Sequence, residues 1–187
     1  MKIFYEDILL TYNKIKPFLK VTETSYSEPI SKKFNCNLFI KFDNRQNPGS
    51  FKIRGALSKL LSLSSKEKSK GVIGMSAGNH AQGLAYSGNK LRVNTNIVMP
   101  LGTPFTKIRR TKAFGGNVFL KGNDLVESKK YVNELIEKFG YIEVHPYNDY
   151  EVIKGQGTIY LEMLKQTLDL DFLLVPVGGG GLLAGCS

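Results

Sequence analysis

The chain has 187 residues, 22% of them charged, and a formal net charge of +10. That length holds one domain, or one small domain and part of a second. No apolar run approaches the span of a bilayer, and Met1-Lys2-Ile3-Phe4-Tyr5-Glu6-Asp7 carries acids where a secretory leader would be apolar. These features lead to the expectation of a cytoplasmic protein with no membrane partner.

The first element in chain order is a helix over Tyr5 to Leu19, where Ile8, Leu9, Tyr12, Ile15 and Leu19 recur near helical spacing. Asn37-Leu38-Phe39-Ile40-Lys41-Phe42 alternates as a strand, and Asp43 to Gly49 is a turn cluster. Ile53, Ala56, Leu57, Leu60 and Leu61 then mark a helix that starts at Lys52. Four strands follow at Val72–Met75, Thr95–Met99, Asn117–Leu120 and Tyr141–Val144. Helices alternate with them at Asn79–Lys90, Pro104–Phe114 and Leu125–Phe139, the second bounded by Pro104 at a first helical position and by Gly115. Such alternation requires right-handed crossovers and a parallel sheet, hence an α/β fold. A helix from Tyr150 to Leu168 leads into an apolar strand at Phe172–Val177, four glycines and the start of another helix. There is no internal repeat and no low-complexity linker.

The net charge raises nucleic acid as a partner. However, Lys66, Lys68 and Lys70 are spread around a polar stretch, and Lys129, Lys130 and Lys138 face away from the apolar side of one helix. Only Lys107-Ile108-Arg109-Arg110 is concentrated, and it too lies on an amphipathic helix, so solvated helix faces are expected and no specific nucleic acid. Cys36 and Cys186 lack CxxC or histidine spacing, which reads as free thiols and no metal site.

Three segments carry chemistry. Lys52, after Phe51, sits at the first turn of a helix, where unpaired N–H groups disfavour a second positive charge. An amine that is neutral near pH 7 is a candidate Schiff-base nucleophile; the alternative is an ordinary solvated lysine. Ser76-Ala77-Gly78-Asn79-His80-Ala81-Gln82-Gly83 joins a strand to a helix and presents several N–H groups to one point, a site for a carboxylate or phosphate. Its alternative is a plain connection capped by Ser76 or Asn79. Gly178, Gly179, Gly180 and Gly181, before Leu182, permit backbone amides to approach an anion closely. The run Gly179-x-Gly181-x-x-Ala184 also fits a weak dinucleotide-binding pattern.

Together, Ser50-Phe51-Lys52-Ile53-Arg54-Gly55-Ala56, the Ser76–Gly83 turn and Val175-Pro176-Val177-Gly178-Gly179-Gly180-Gly181-Leu182 resemble the threonine dehydratase/serine racemase family, with Ile97-Val98-Met99-Pro100, His145-Pro146 and Gly155-Gln156-Gly157-Thr158 in support. The resemblance implies a tryptophan-synthase-β-like fold and pyridoxal 5'-phosphate as cofactor. Lys52 would carry the cofactor covalently and act as the catalytic base, with Phe51 near its ring. Asn79 would bond its phenolic oxygen, and Gly178, Gly179, Gly180, Gly181 and Leu182 would hold its phosphate. Ser76, Ala77, Gly78, Asn79 and His80 would receive the carboxylate of a small amino-acid substrate, threonine or serine, which loses water and ammonia to become a 2-oxo acid. Ala77 stands where serine racemases have a serine, which favours elimination over racemisation. Cysteine-synthase-like members have a different lysine context. A basic, non-enzymatic fragment is the remaining alternative.

By the same resemblance, residues 63–144 form a complete small domain, residues 1–62 the first part of a large domain and residues 145–187 its second part. The chain stops one turn into a helix, where the family has further strands and helices, including the contact to the pyridine nitrogen. A truncated and inactive fragment of a homo-oligomeric enzyme is therefore expected. Two departures from the family pattern stand out: Thr22-Glu23-Thr24 replaces a Thr-Pro, and Asp43-Asn44 replaces Glu-Asn.

Overall fold

A computed structural model describes residues 2–167 and 169–187. Its centre is a parallel sheet of four strands, β3 (Val72–Met75), β4 (Thr95–Met99), β5 (Asn117–Leu120) and β6 (Ile142–Glu143), in the order β5-β4-β3-β6. The chain steps outward from β3 through β4 to β5, then returns to the other side of β3 for β6.

Side-chain alternation divides the sheet into two faces. Val72, Ile97 and Met99 point to one, where Ala81 and Leu84 of helix α5 (Asn79–Leu91) pack against them. Ile73 and Val98 point to the other, against Val132 and Leu135 of α7 (Leu125–Phe139). Helix α6 (Phe105–Ala113) joins β4 to β5. Pro104 precedes it in extended conformation (ψ 135°), so the helix starts one residue after the expected position. These strands and helices follow the expected alternation, as an α/β chain with near-continuous apolar strands should.

Three further helices surround the first core face. Helix α1 (Tyr5–Ile15), α3 (Lys52–Ser62) and α8 (Tyr150–Gln166) pack on one another, and Ala56, Leu60 and Val152 enter the same cluster as β3 and β4. The α3–α8 crossing is close because glycines face each other: a Cβ on Gly155 would stand 2.6 Å from Gly55 Cα and collide with the Arg54 carbonyl.

A buried ionic cluster ties this layer to the second sheet. Strand β1 (Thr24–Tyr26) pairs antiparallel with β2 (Phe39–Lys41), and a one-turn helix at Asp43–Arg45 follows. Arg54, with no exposed surface, donates from Nε and Nη2 to the two Asp43 oxygens at 2.8 Å, and from Nη1 and Nη2 to the two Glu162 oxygens at 2.9 Å. Lys41 Nζ lies 2.8 Å from Glu162, and Thr22 donates to Asp43 at 2.7 Å. Two cations and two carboxylates balance, and their hydrogen bonds offset the cost of taking them from water.

Several expectations need correction. Phe172–Val177 is not a strand: no strand lies beside it among the described residues, and Phe172, Leu174 and Val177 are 89%, 85% and 61% exposed. Its apolar residues have β propensity, but propensity is expressed only against a neighbouring strand. Three short elements were not anticipated: β1, helix α2 (Glu28–Phe34) and helix α4 (Ser65–Lys70). The last has a signal in Ser64 and Glu67, whose side chains each bond the other's backbone N–H. The chain ends in a six-residue helix, α9 (Gly181–Cys186). No helix among the described residues is long and apolar enough to cross a membrane.

Candidate active site

Because β4 and β5 lie on one side of β3 and β6 on the other, the connections leaving β3 and β6 diverge at their carboxyl ends. Such a switch point opens a crevice in parallel α/β sheets. After β3 comes the Ser76–His80 turn, and after β6 come Val144, His145, Pro146 and Tyr147.

Lys52 meets the second of these loops. Its Nζ donates to the Pro146 carbonyl oxygen at 2.7 Å and lies 5.3 Å from the centroid of the Phe51 ring. No carboxylate pairs with it among the described residues. Burial lowers its pKa from the ordinary lysine value, which favours the neutral amine. The backbone behind it is held from α5, where a Cβ on Gly83 would come 3.1 Å from the Lys52 carbonyl carbon.

The Ser76–His80 turn presents unclaimed donors. Ser76 N–H belongs to the sheet through Val98, and Ser76 Oγ takes the N–H of Gly78 at 3.1 Å. Among the described residues the N–H groups of Ala77, Asn79, His80 and Ala81 have no acceptor. The Asn79 side chain is exposed. His80 points the other way, into the core, with Nε2 2.9 Å from the Val144 carbonyl. Burial, the largest influence, pulls its pKa down to about 4, so the ring is neutral at pH 7 and donates that hydrogen bond.

At the glycine run, the N–H groups of Gly178 to Leu182 likewise lack acceptors among the described residues. Gly180 has φ 82°, a left-handed conformation that glycine adopts without strain. Space beside Gly178 and Gly180 is open, whereas a Cβ on Gly179 would enter the Tyr147 ring and one on Gly181 would stand 2.7 Å from the Tyr147 carbonyl oxygen. Tyr147 is thus the link between the glycine run and the loop that holds Lys52.

Contacts therefore run from Lys52 to Pro146, from Tyr147 to Gly179 and Gly181, and from Val144 to His80. Pro146, Tyr147 and Gly83 carried no role in the sequence reading, although His145-Pro146 was noted as part of the resemblance. Among the described residues these features fit an aldehyde cofactor bearing a phosphate: a desolvated amine without a carboxylate partner, free amides at a run of glycines, and a second set of free amides at a helix start.

Residues 15–187 match the family model described as pyridoxal-phosphate dependent enzyme. The chain is 45% identical over 172 residues to a catabolic L-threonine dehydratase, TdcB, of Staphylococcus aureus (strain N315), covering 91% of this chain and 50% of that protein. Among solved structures it resembles the processed form of threonine deaminase isoform 2 from Solanum lycopersicum, with TM-score 0.89 and 38% identity over 99% of this chain and 52% of that one. It also resembles serine racemase from Dictyostelium discoideum, with TM-score 0.92 and 35% identity over 97% of this chain and 59% of that one. The chain belongs to the pyridoxal-phosphate dependent enzymes of the tryptophan-synthase-β-like fold. Within that family its relatives are threonine dehydratases and ammonia-lyases, which act as lyases. It spans about half the length of the curated relatives it matches.

Proposed function

We propose that this chain carries the lysine and the two anion cradles of a dehydratase that converts threonine, and serine as a second substrate, to a 2-oxo acid and ammonia. The observation that carries the reading is Lys52: desolvated, without a carboxylate partner among the described residues, and held by a neutral carbonyl acceptor. The proteins it resembles support the substrate class, since a threonine dehydratase and a threonine deaminase are among them.

In this reading Lys52 Nζ would hold the cofactor, Phe51 would flank it, Asn79 would bond its ring oxygen, and the N–H groups of Gly178, Gly179, Gly180, Gly181 and Leu182 would take its phosphate. Pyridoxal phosphate, when bound, supplies an acceptor for the electrons of the breaking Cα–H bond. The free N–H groups between Ala77 and Ala81 orient the substrate carboxylate, with Ser76 bracing Gly78. A free Lys52 Nζ would remove the Cα proton, and the β-hydroxyl would leave with a proton as water. Hydrolysis of the resulting enamine returns that water and releases ammonia, so threonine yields 2-oxobutanoate and serine yields pyruvate. Ala77 has no group that could protonate the opposite face, which favours elimination over the racemisation named for the Dictyostelium structure.

Reduction with borohydride in the presence of pyridoxal phosphate, followed by peptide mapping, tests the reading. Label is expected on Lys52, absent in Lys52→Ala. Label distributed over exposed lysines such as Lys66 and Lys130, with none favoured, would refute it.

A further inference from the structure

The four residues after β6 each make a different contact. Val144 accepts from His80 of α5, Pro146 accepts from Lys52 of α3, and Tyr147 packs on Gly179 and Gly181. His145 lies between them. Its Nδ1 accepts the backbone N–H of Tyr147 at 3.3 Å and of Asn148 at 2.8 Å, and its ring meets the Tyr147 ring edge-to-face at 4.6 Å. The residue that accepts from Lys52 is therefore enclosed within a turn closed by the imidazole.

We propose that His145 is a positioning residue of this site: its Nδ1 lone pair holds the 145–148 turn in the shape that aims the Pro146 carbonyl at Lys52 Nζ and lays Tyr147 against the glycine run. This deepens the proposed function and rests on it only for the role of Lys52.

The geometry determines the tautomer. A ring nitrogen that accepts two N–H bonds carries no proton, so a neutral ring must be protonated at Nε2. Protonating Nδ1 would aim a proton at two donors and break both bonds. The charged and titratable groups facing the ring are Glu143 of β6, Lys129 of α7, Asp149 before α8, Lys52 of α3 and His80 of α5. Burial is the largest of the influences and keeps the ring's pKa below the ordinary 6.5, so the turn is closed at neutral pH and opens only on acidification. Asparagine at this position would keep the acceptor without the titration, because its Oδ1 reaches the N–H groups two and three residues on.

The test uses residues 1–187 with nitrogen-15 NMR of the imidazole, amide exchange at Tyr147 and Asn148, and borohydride trapping of pyridoxal phosphate at Lys52. The wild type should show the Nε2–H tautomer and protected amides that lose protection in acid. His145→Ala should exchange roughly tenfold faster at those two amides and trap less cofactor at Lys52, as expected for the loss of two hydrogen bonds. His145→Asn should restore both properties and abolish the acid step, a pattern that general loss of packing would not produce. An Nδ1–H tautomer, unchanged exchange in His145→Ala, or failure of His145→Asn to restore trapping would each overturn the proposal. Wild-type label that misses Lys52 would refute the proposed function instead, while tautomer and exchange still decide the turn.

Discussion

Arg54 is the largest side chain in the molecule with no exposed surface, and every polar hydrogen bond it makes crosses to another element. Burial alone would raise the Asp43 carboxyl, but the two Arg54 hydrogen bonds outweigh it and hold the group below its ordinary 3.8. A carboxylate depressed in the folded state stabilises the fold above its unfolded pKa, and that contribution is lost as pH falls through the folded value. Urea midpoints should therefore be insensitive to this pair from neutral pH down to about 4 and fall below it. Arg54→Met removes the partner of two buried carboxylates and should destabilise by about 3–5 kcal/mol at neutral pH. A loss under about 1 kcal/mol would mean that water reaches the cluster. Asp43 was noticeable in the sequence as the start of a turn cluster and as a departure from the family pattern, and nothing there linked it to Glu162, 119 positions further on.

At the scale of elements, the crossing of α3 and α8 governs where Lys52 points. Lys52 opens α3, and Gly55 lies one turn later against Gly155 and Gln156. Gly155→Ala would drive its Cβ into the Arg54 carbonyl, and backbone on both sides leaves no flexible group to yield. The helices would have to separate, costing about 1–3 kcal/mol and moving the first turn of α3. Thermal unfolding should show the loss, and Lys52 trapping should fall with it; a variant of unchanged midpoint would contradict the rigidity of this crossing. Helix spacing announced α1 and α3 from the sequence because each has one apolar face. The short elements β1 and α2 escaped because three and seven residues are too few to establish a period.

For the whole molecule, the sheet and the helices around it bury apolar clusters on both sheet faces, whereas Phe172, Leu174 and Val177 lie outside these clusters. We propose that residues 63–144 act as a unit around the four-stranded sheet, with the remaining segments forming a second layer, as the family resemblance suggests. An extended apolar segment with unpaired backbone groups is a template for another strand. Residues 1–187 in isolation should therefore bind a fluorescent apolar dye and self-associate as concentration rises. Phe172→Ser with Leu174→Ser should reduce both, read by light scattering. Equal scattering by the two chains would place the sticky surface elsewhere.

Local chemistry was legible in the sequence: strand and helix periods, a lysine after an aromatic at a helix start, and glycines where amides must be bare. These signals lie within a few residues of one another, where propensity and spacing act directly. The order β5-β4-β3-β6, the Pro146 carbonyl at Lys52 and the enclosure of Arg54 were decided only by tertiary structure. Each depends on which faces are buried together across long stretches of chain, and burial is what desolvates Lys52 and makes unpartnered charges costly.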